Sequence, residues 1–168
     1  MSISRVIADD EGVATRVNTL IENGVFRGFL WNNYWAHKAG LESTGNGTRS
    51  FRSGAMGIGA HNMVLREGSR RIEDLIGAVD YGYLVSSFQG AHSSNPDTGS
   101  ISVVANPAFV IEDGEVSGST VFMLSGNIYD LMGRVSEVSR EIRPVFMMGR
   151  GLYPHVMVED VGIAPVSR

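Results

Sequence analysis

The 168-residue chain predicts an α+β fold, a β-rich curved sheet or partial barrel with about three short packed helices. Three observations carry that reading. Glycine stands in excess at 21 residues, and helix interiors penalise glycine whereas turns, bulges and close backbone contacts use it. Residues 101–124, ISVVANPAFVIEDGEVSGSTVFML, read as one long β-hairpin, because alternating apolar positions flank Asp113-Gly114, two residues that tolerate positive φ. Helical periodicity, where it occurs, covers only short stretches. A chain of this length supports one domain, 1–168, burying roughly two-thirds of its unfolded surface.

Taken in order, Asn23-Gly24 between apolar runs predicts a two-residue type I′ turn with Ile21 opposite Phe26. Trp31, Tyr34, Trp35 and Ala39 then recur at helical spacing as an apolar stripe, with Asn32 or Asn33 as N-cap and Gly40 as a left-handed stop. A polar, glycine-rich loop covers residues 43–50, residues 51–60 read as an irregular connection, and 61–66 as a short strand. Ile72, Leu75, Ile76 and Val79 give a second helix, with Glu73 and Asp74 in the first turn, where the helix dipole favours acids. Residues 81–88 form a strand, and 93–99 concentrate turn formers.

Within the long hairpin, Ile101, Val103, Ala105, Phe109 and Ile111 alternate with more polar neighbours. Pro107 cannot donate to a ladder and belongs at an edge or a bulge. A two-residue turn sets Ile111 opposite Val116 and Glu112 opposite Glu115. The third helix starts at an Asn127 N-cap with Asp130 three residues on, and its buried stripe is Ile128, Leu131, Met132, Val135 and Val138. Residues 144–148 and 155–163 close the chain as strands about a joint at Gly149 and Gly151.

Composition excludes several function classes. A net charge of −4 with few lysines leaves no electrostatic footprint for direct nucleic-acid binding. The absence of cysteine removes disulfides, thiolate nucleophiles and thiolate metal ligands, and points to the cytoplasm. The opening MSISRVIADDEG places acids where a signal peptide has its apolar core, and no window approaches the ~20 apolar residues of a spanning helix, so no membrane segment is expected.

His37, His61, His92 and His155 lack the local spacing that makes a zinc site affordable. The glycine clusters at 45–47 and 54–59 have neither the following lysine nor the strand-turn-helix setting of a phosphate loop, and no Gly-x-Ser-x-Gly elbow occurs. Arg49 and Arg52 flank Phe51 in a position to hold a peptide carboxylate or a partner's acid; a solvated loop around a buried Phe51 is the preferred alternative. Candidate substrate- or partner-contact residues are therefore Thr44, Asn46, Arg49 and Arg52 in one loop region and Asn95, Thr98 and Ser100 in another. No catalytic residue and no metal ligand is assigned.

Three stretches, in order, resemble the C-terminal part of the TldD/PmbA family, also called the modulator of DNA gyrase family: DDEGVATRVNTLIENGVFRGFLWNNYWAHKAGLESTGNG, GYLVSSFQGAHSSNPDTGSISVVANPAFVIEDGEV and MLSGNIYDLMGRVSEVSRE. The resemblance implies zinc-dependent proteolysis of peptides. In TldD-type subunits it implies zinc held by a His-Glu-three-residues-His helix upstream of this region, with a cysteine from near the C-terminus. This sequence contains neither element, so it is more similar to the metal-free PmbA-like (TldE-like) subunit, or to the C-terminal domain of a longer protein or a shortened gene product. The implied role is a non-metal-binding scaffold or interaction domain of a metalloprotease system. The chain would form a homo- or hetero-oligomer with a TldD-like subunit, and zinc is expected only in a partner subunit or a missing region. The alternative is an autonomous small-ligand-binding domain or enzyme using the glycine-rich loops.

Overall fold

The computed structural model describes residues 6–146 and 150–166. The chain divides into two compact units, Met1–Leu65 with Arg143–Tyr153, and Arg66–Ile142 with Pro154–Arg168.

In the first unit, β1 (Ile21–Glu22) and β2 (Val25–Phe26) form the expected hairpin, with Ile21 paired to Phe26. Asn23 and Gly24 both have positive φ, 51° and 75°, as a type I′ turn requires. Helix α1 (Asn33–Ala39) is capped by Asn32, whose side chain accepts the Trp35 N–H at 3.0 Å, and it stops at Gly40 with φ 69°. Its apolar stripe does not face inward. Asn32 is buried and its amide donates to the Gly57 carbonyl, an anchor that turns Ala36 inward and leaves Tyr34 and Trp35 about half exposed. The expected irregular connection is partly a hairpin: β3 (Gly47–Arg49) pairs antiparallel with β4 (Met56–Ile58). Its strands are too short and glycine-rich to show alternation. Strand β5 (Met63–Val64) follows.

The second unit begins with α2 (Ile72–Ile76), which buries Leu75. The strand expected over 81–88 is two strands, β6 (Tyr81–Val85) and β7 (Phe88–Gln89), both antiparallel to β8 (Ser100–Glu112). The break lies opposite a bulge in β8 between Ala105 and Ala108, where Pro107 sits; there the Ser86 N–H donates to Pro107 O and the Asn106 N–H to Ser87 O, each at 3.0 Å. Strand β9 (Glu115–Asn127) completes the long hairpin, with Ile111 opposite Val116 and Glu112 opposite Glu115 as expected. The bulge also shifts the inward phase. Val103, Ala105, Ala108 and Ile111 are buried, whereas Phe109 drops out of the buried set that simple alternation assigned to it.

The third helix, α3 (Ile128–Gly133), is capped by Asn127 but ends sooner than its apolar spacing suggests. Val135 and Val138 belong instead to β10 (Val135–Val145), a run with β-branched residues beyond a helix end at Gly133, and Ile128 and Met132 are exposed. Strand β11 (Gly151–Val158) neighbours β10, and its first two residues pair in parallel with β5 inside the first unit, Gly151 with Met63 and Leu152 with Val64. The strand expected over 155–163 is therefore divided, since β12 (Ile163–Pro165) leaves to pair with β9. Met147, Met148 and Gly149 of the expected strand and joint lie outside the described residues.

The principal sheet of the second unit has the order β12-β9-β8-β6, with β7 also on β8. Its core joins Val103, Ala105, Ala108, Phe122 and Leu124, against which Tyr83, Val85, Ile101, Leu131 and Val161 pack. Among the described residues, twelve strands in open sheets with three short α-helices make this an α+β fold.

Candidate functional site

The first unit builds its most organised polar region around Asp9, buried at 7% exposure. One carboxylate oxygen accepts the N–H groups of Glu11 at 3.0 Å and Val13 at 2.9 Å, which folds the acid-glycine opening into a tight turn. The other oxygen accepts the Gly47 N–H at 2.7 Å, tying that turn to the glycine-rich loop. Asp10 and Glu11 extend the link: Asp10 accepts the Arg49 N–H at 2.7 Å, and Glu11 accepts the Asn33 N–H at 2.8 Å, at the start of α1. Burial works to raise the Asp9 carboxyl, but the Gly47, Val13 and Glu11 N–H groups and the charge of His61 outweigh it and hold the group below its usual range.

The loop itself is held from several sides. Thr44 Oγ1 accepts the Trp31 N–H at 2.7 Å and faces the Trp31 carbonyl at 3.0 Å. Asn46, buried at 6% exposure, donates to Gly59 O at 3.0 Å and accepts from Asn18 at 3.1 Å. Asn18 also donates to Thr44 O, and the His61 ring reaches Gly45 O at 3.2 Å. Gly45 is required at its position: its φ is +72°, and an added Cβ would lie 2.5 Å from Ala14 O. Arg49 donates from its guanidinium to Gly54 O at 3.0 Å. Phe51 is fully exposed, which corrects the expectation of a buried ring between Arg49 and Arg52.

Beside this network lies an open groove of about 460 Å³ lined by Val13, Ala36, Leu41, His37, Glu42 and Arg16, among others. The Arg16 guanidinium is committed to the Ser43 carbonyl at 2.6 Å.

The remaining candidates lie in the second unit. Asn95 Oδ1 accepts the N–H groups of Asp97 and Thr98, Thr98 Oγ1 donates to Ser100 Oγ at 3.0 Å, and the Thr98 carbonyl accepts from Asn127 at 2.9 Å. Asn127 also caps α3, so this turn fixes the start of that helix. Thr44, Asn46 and Arg49 thus share one network, Asn95, Thr98 and Ser100 share another, and Arg52 enters neither. Asp9 and Asn18 were not among the sequence candidates. The DDEG run was a usable signal for Asp9, but its bond across 38 residues to Gly47 is invisible to local patterns.

Among the described residues no three histidines or carboxylates converge, and the chain carries no cysteine. Among the described residues, too, no helix is long and apolar enough to cross a membrane.

Residues 1–165 match the family described as the PmbA/TldA metallopeptidase C-terminal domain. The chain is similar to the crystal structure of TldE from Thermococcus kodakarensis, with 57% identity, a TM-score of 0.90, and coverage of 95% of this chain and 36% of that one. It is also similar to a zinc metalloprotease TldD homologue of Saccharolobus solfataricus, 28% identical over 82% of this chain and 31% of the relative. A metalloprotease TldD homologue of Buchnera aphidicola is 29% identical over 80% of this chain and 28% of its own length. The chain therefore spans little more than a third, at most, of these relatives.

Proposed function

This chain belongs to the PmbA/TldA metallopeptidase C-terminal domain family, and from that membership we propose that it is a non-catalytic scaffold and interaction domain of a TldD/PmbA-type, peptide-cleaving metalloprotease system. The observation that carries this reading is the use to which the loop polar groups are put. Both Asp9 oxygens, the Asn46 amide, Thr44 Oγ1 and the Asn95 and Asn127 side chains are engaged with the chain's own backbone. Groups already satisfied in this way position loops and gain little by exchanging those bonds for a substrate's. The same commitment weighs against an autonomous small-ligand enzyme.

On this reading the zinc belongs to a TldD-like partner subunit, and the chain works with it in the cytoplasm. The test is elemental analysis of the purified chain after dialysis, with a protease assay on an unfolded peptide, alone and with a co-expressed zinc-bearing homologue. The expected result is no stoichiometric zinc and no cleavage alone, with a stable complex and chelator-sensitive cleavage in the mixture. Stoichiometric zinc with chelator-sensitive cleavage by the chain alone overturns the proposal.

A further inference from the structure

Phe51 stands fully exposed at the tip of the β3–β4 hairpin, yet the tip is tied down. The Ser50 N–H donates to Ala55 O at 2.9 Å, the Gly54 N–H to Ser50 O at 2.8 Å, and the Arg49 guanidinium to Gly54 O at 3.0 Å. A preorganised turn thus holds a phenyl ring in water, where its burial by a partner gains hydrophobic free energy with little ordering cost. Arg49 and Arg52 flank the ring, and among the described residues neither has a carboxylate partner in an ion pair.

The complementary surface is on the same unit. The groove of about 460 Å³ beside the Asp9 network offers the apolar flanks of Val13, Ala36 and Leu41, with room for a phenyl ring. At its rim Glu42 is exposed and, among the described residues, pairs with no cation. Copies of a chain with net charge −4 repel one another at long range, so contact is favoured where arginines meet a carboxylate.

We propose that a second copy of this chain seats its Phe51 in the groove between Val13, Ala36 and Leu41, with its Arg52 against Glu42, so that the chain self-associates through the β3–β4 tip. The contact is independent of whether the chain is catalytic.

The experiment is size-exclusion chromatography with light scattering across a concentration series into the range of about 100 μM, where contacts of modest affinity populate. The wild type is expected above monomer mass, and less so in high salt. Phe51→Ser and Glu42→Arg are each expected to weaken association at least about tenfold, as loss of an anchor does. Arg52→Glu combined with Glu42→Arg restores the swapped ion pair and recovers much of the loss. Circular dichroism establishes that each variant is folded, and if Phe51→Ser is not, the charge swap decides alone. A wild type that stays monomeric throughout, or association that neither Phe51→Ser nor the charge swap changes, overturns the proposal.

Discussion

At Asp9 a single carboxylate takes three backbone N–H groups, from Glu11, Val13 and Gly47, while nearly fully buried. Asp9→Asn keeps the shape but presents an amide donor to at least one N–H that needs an acceptor. The expected loss is about 1–3 kcal/mol, the cost of leaving a buried donor unsatisfied, read as a lower urea midpoint with unchanged slope. Gly68 is a different kind of fixed point. A Cβ there would lie 1.9 Å from Val138 O, and the Gly68 N–H donates to Ser139 O at 2.9 Å, so backbone meets backbone with no space between. Gly68→Ala must push this segment off β10 and is expected to cost about 1–3 kcal/mol or more, checked by thermal unfolding. Local sequence marks Asp9 only as part of an acid-glycine turn, and it does not mark Gly68 at all. A glycine after a glutamate and an aspartate beside another acid declare their role only when the residues they meet, 70 and 38 positions away, are in place.

Among the elements, the two hairpin turns were legible because each signal is a pair of adjacent residues whose own conformations make the turn. Asn23-Gly24 and Asp113-Gly114 both adopt positive φ, and the registers they set follow. Gly114 carries a further demand. Its φ is +78°, and an added Cβ would meet Gly77 O at 2.9 Å, while its N–H donates to Val79 O, so the hairpin tip rests on the end of α2. Gly114→Ala is expected to cost about 1–3 kcal/mol, more than at a free turn, with the comparison made by chemical denaturation against Gly24→Ala, where nothing lies within 4 Å. The elements that pattern alone misplaced depend on partners. The break between β6 and β7 is imposed by the bulge on β8, and the apolar face of α1 is set outward by Asn32 anchoring to Gly57 O. Periodicity shows that a face is apolar, not what covers it. For the same reason Thr44, Asn46 and the Asn95 turn were visible as polar loops, whereas the network that unites the first two with Asp9 was not.

At the scale of the whole molecule the two units are held by different forces, and pH separates them. The second unit has a contiguous apolar core on a long hairpin, with no carboxylate among its core side chains. The first has few buried apolar side chains among its described residues and relies on the polar network that Asp9 organises. The Asp9 carboxyl titrates lower in the folded chain than in the unfolded one, since the N–H groups and His61 outweigh the opposing effect of burial. Its contribution is therefore complete above the ordinary aspartate range near about 3.9, and is lost as pH falls through the lower folded value. The chain supplies its own reporter, because both tryptophans, Trp31 and Trp35, belong to the first unit, and the Trp31 backbone is bonded to Thr44 within the network. On acidification the tryptophan emission is expected to shift to longer wavelength at a pH where the far-ultraviolet β-sheet signal, carried mainly by the strands of the second unit, still persists. Asp9→Asn, which no longer titrates at this position, should already show part of that shift at neutral pH and a weaker dependence on acid. Emission and sheet signal falling together, with the same midpoint in wild type and Asp9→Asn, would mean that Asp9 is not what holds the first unit.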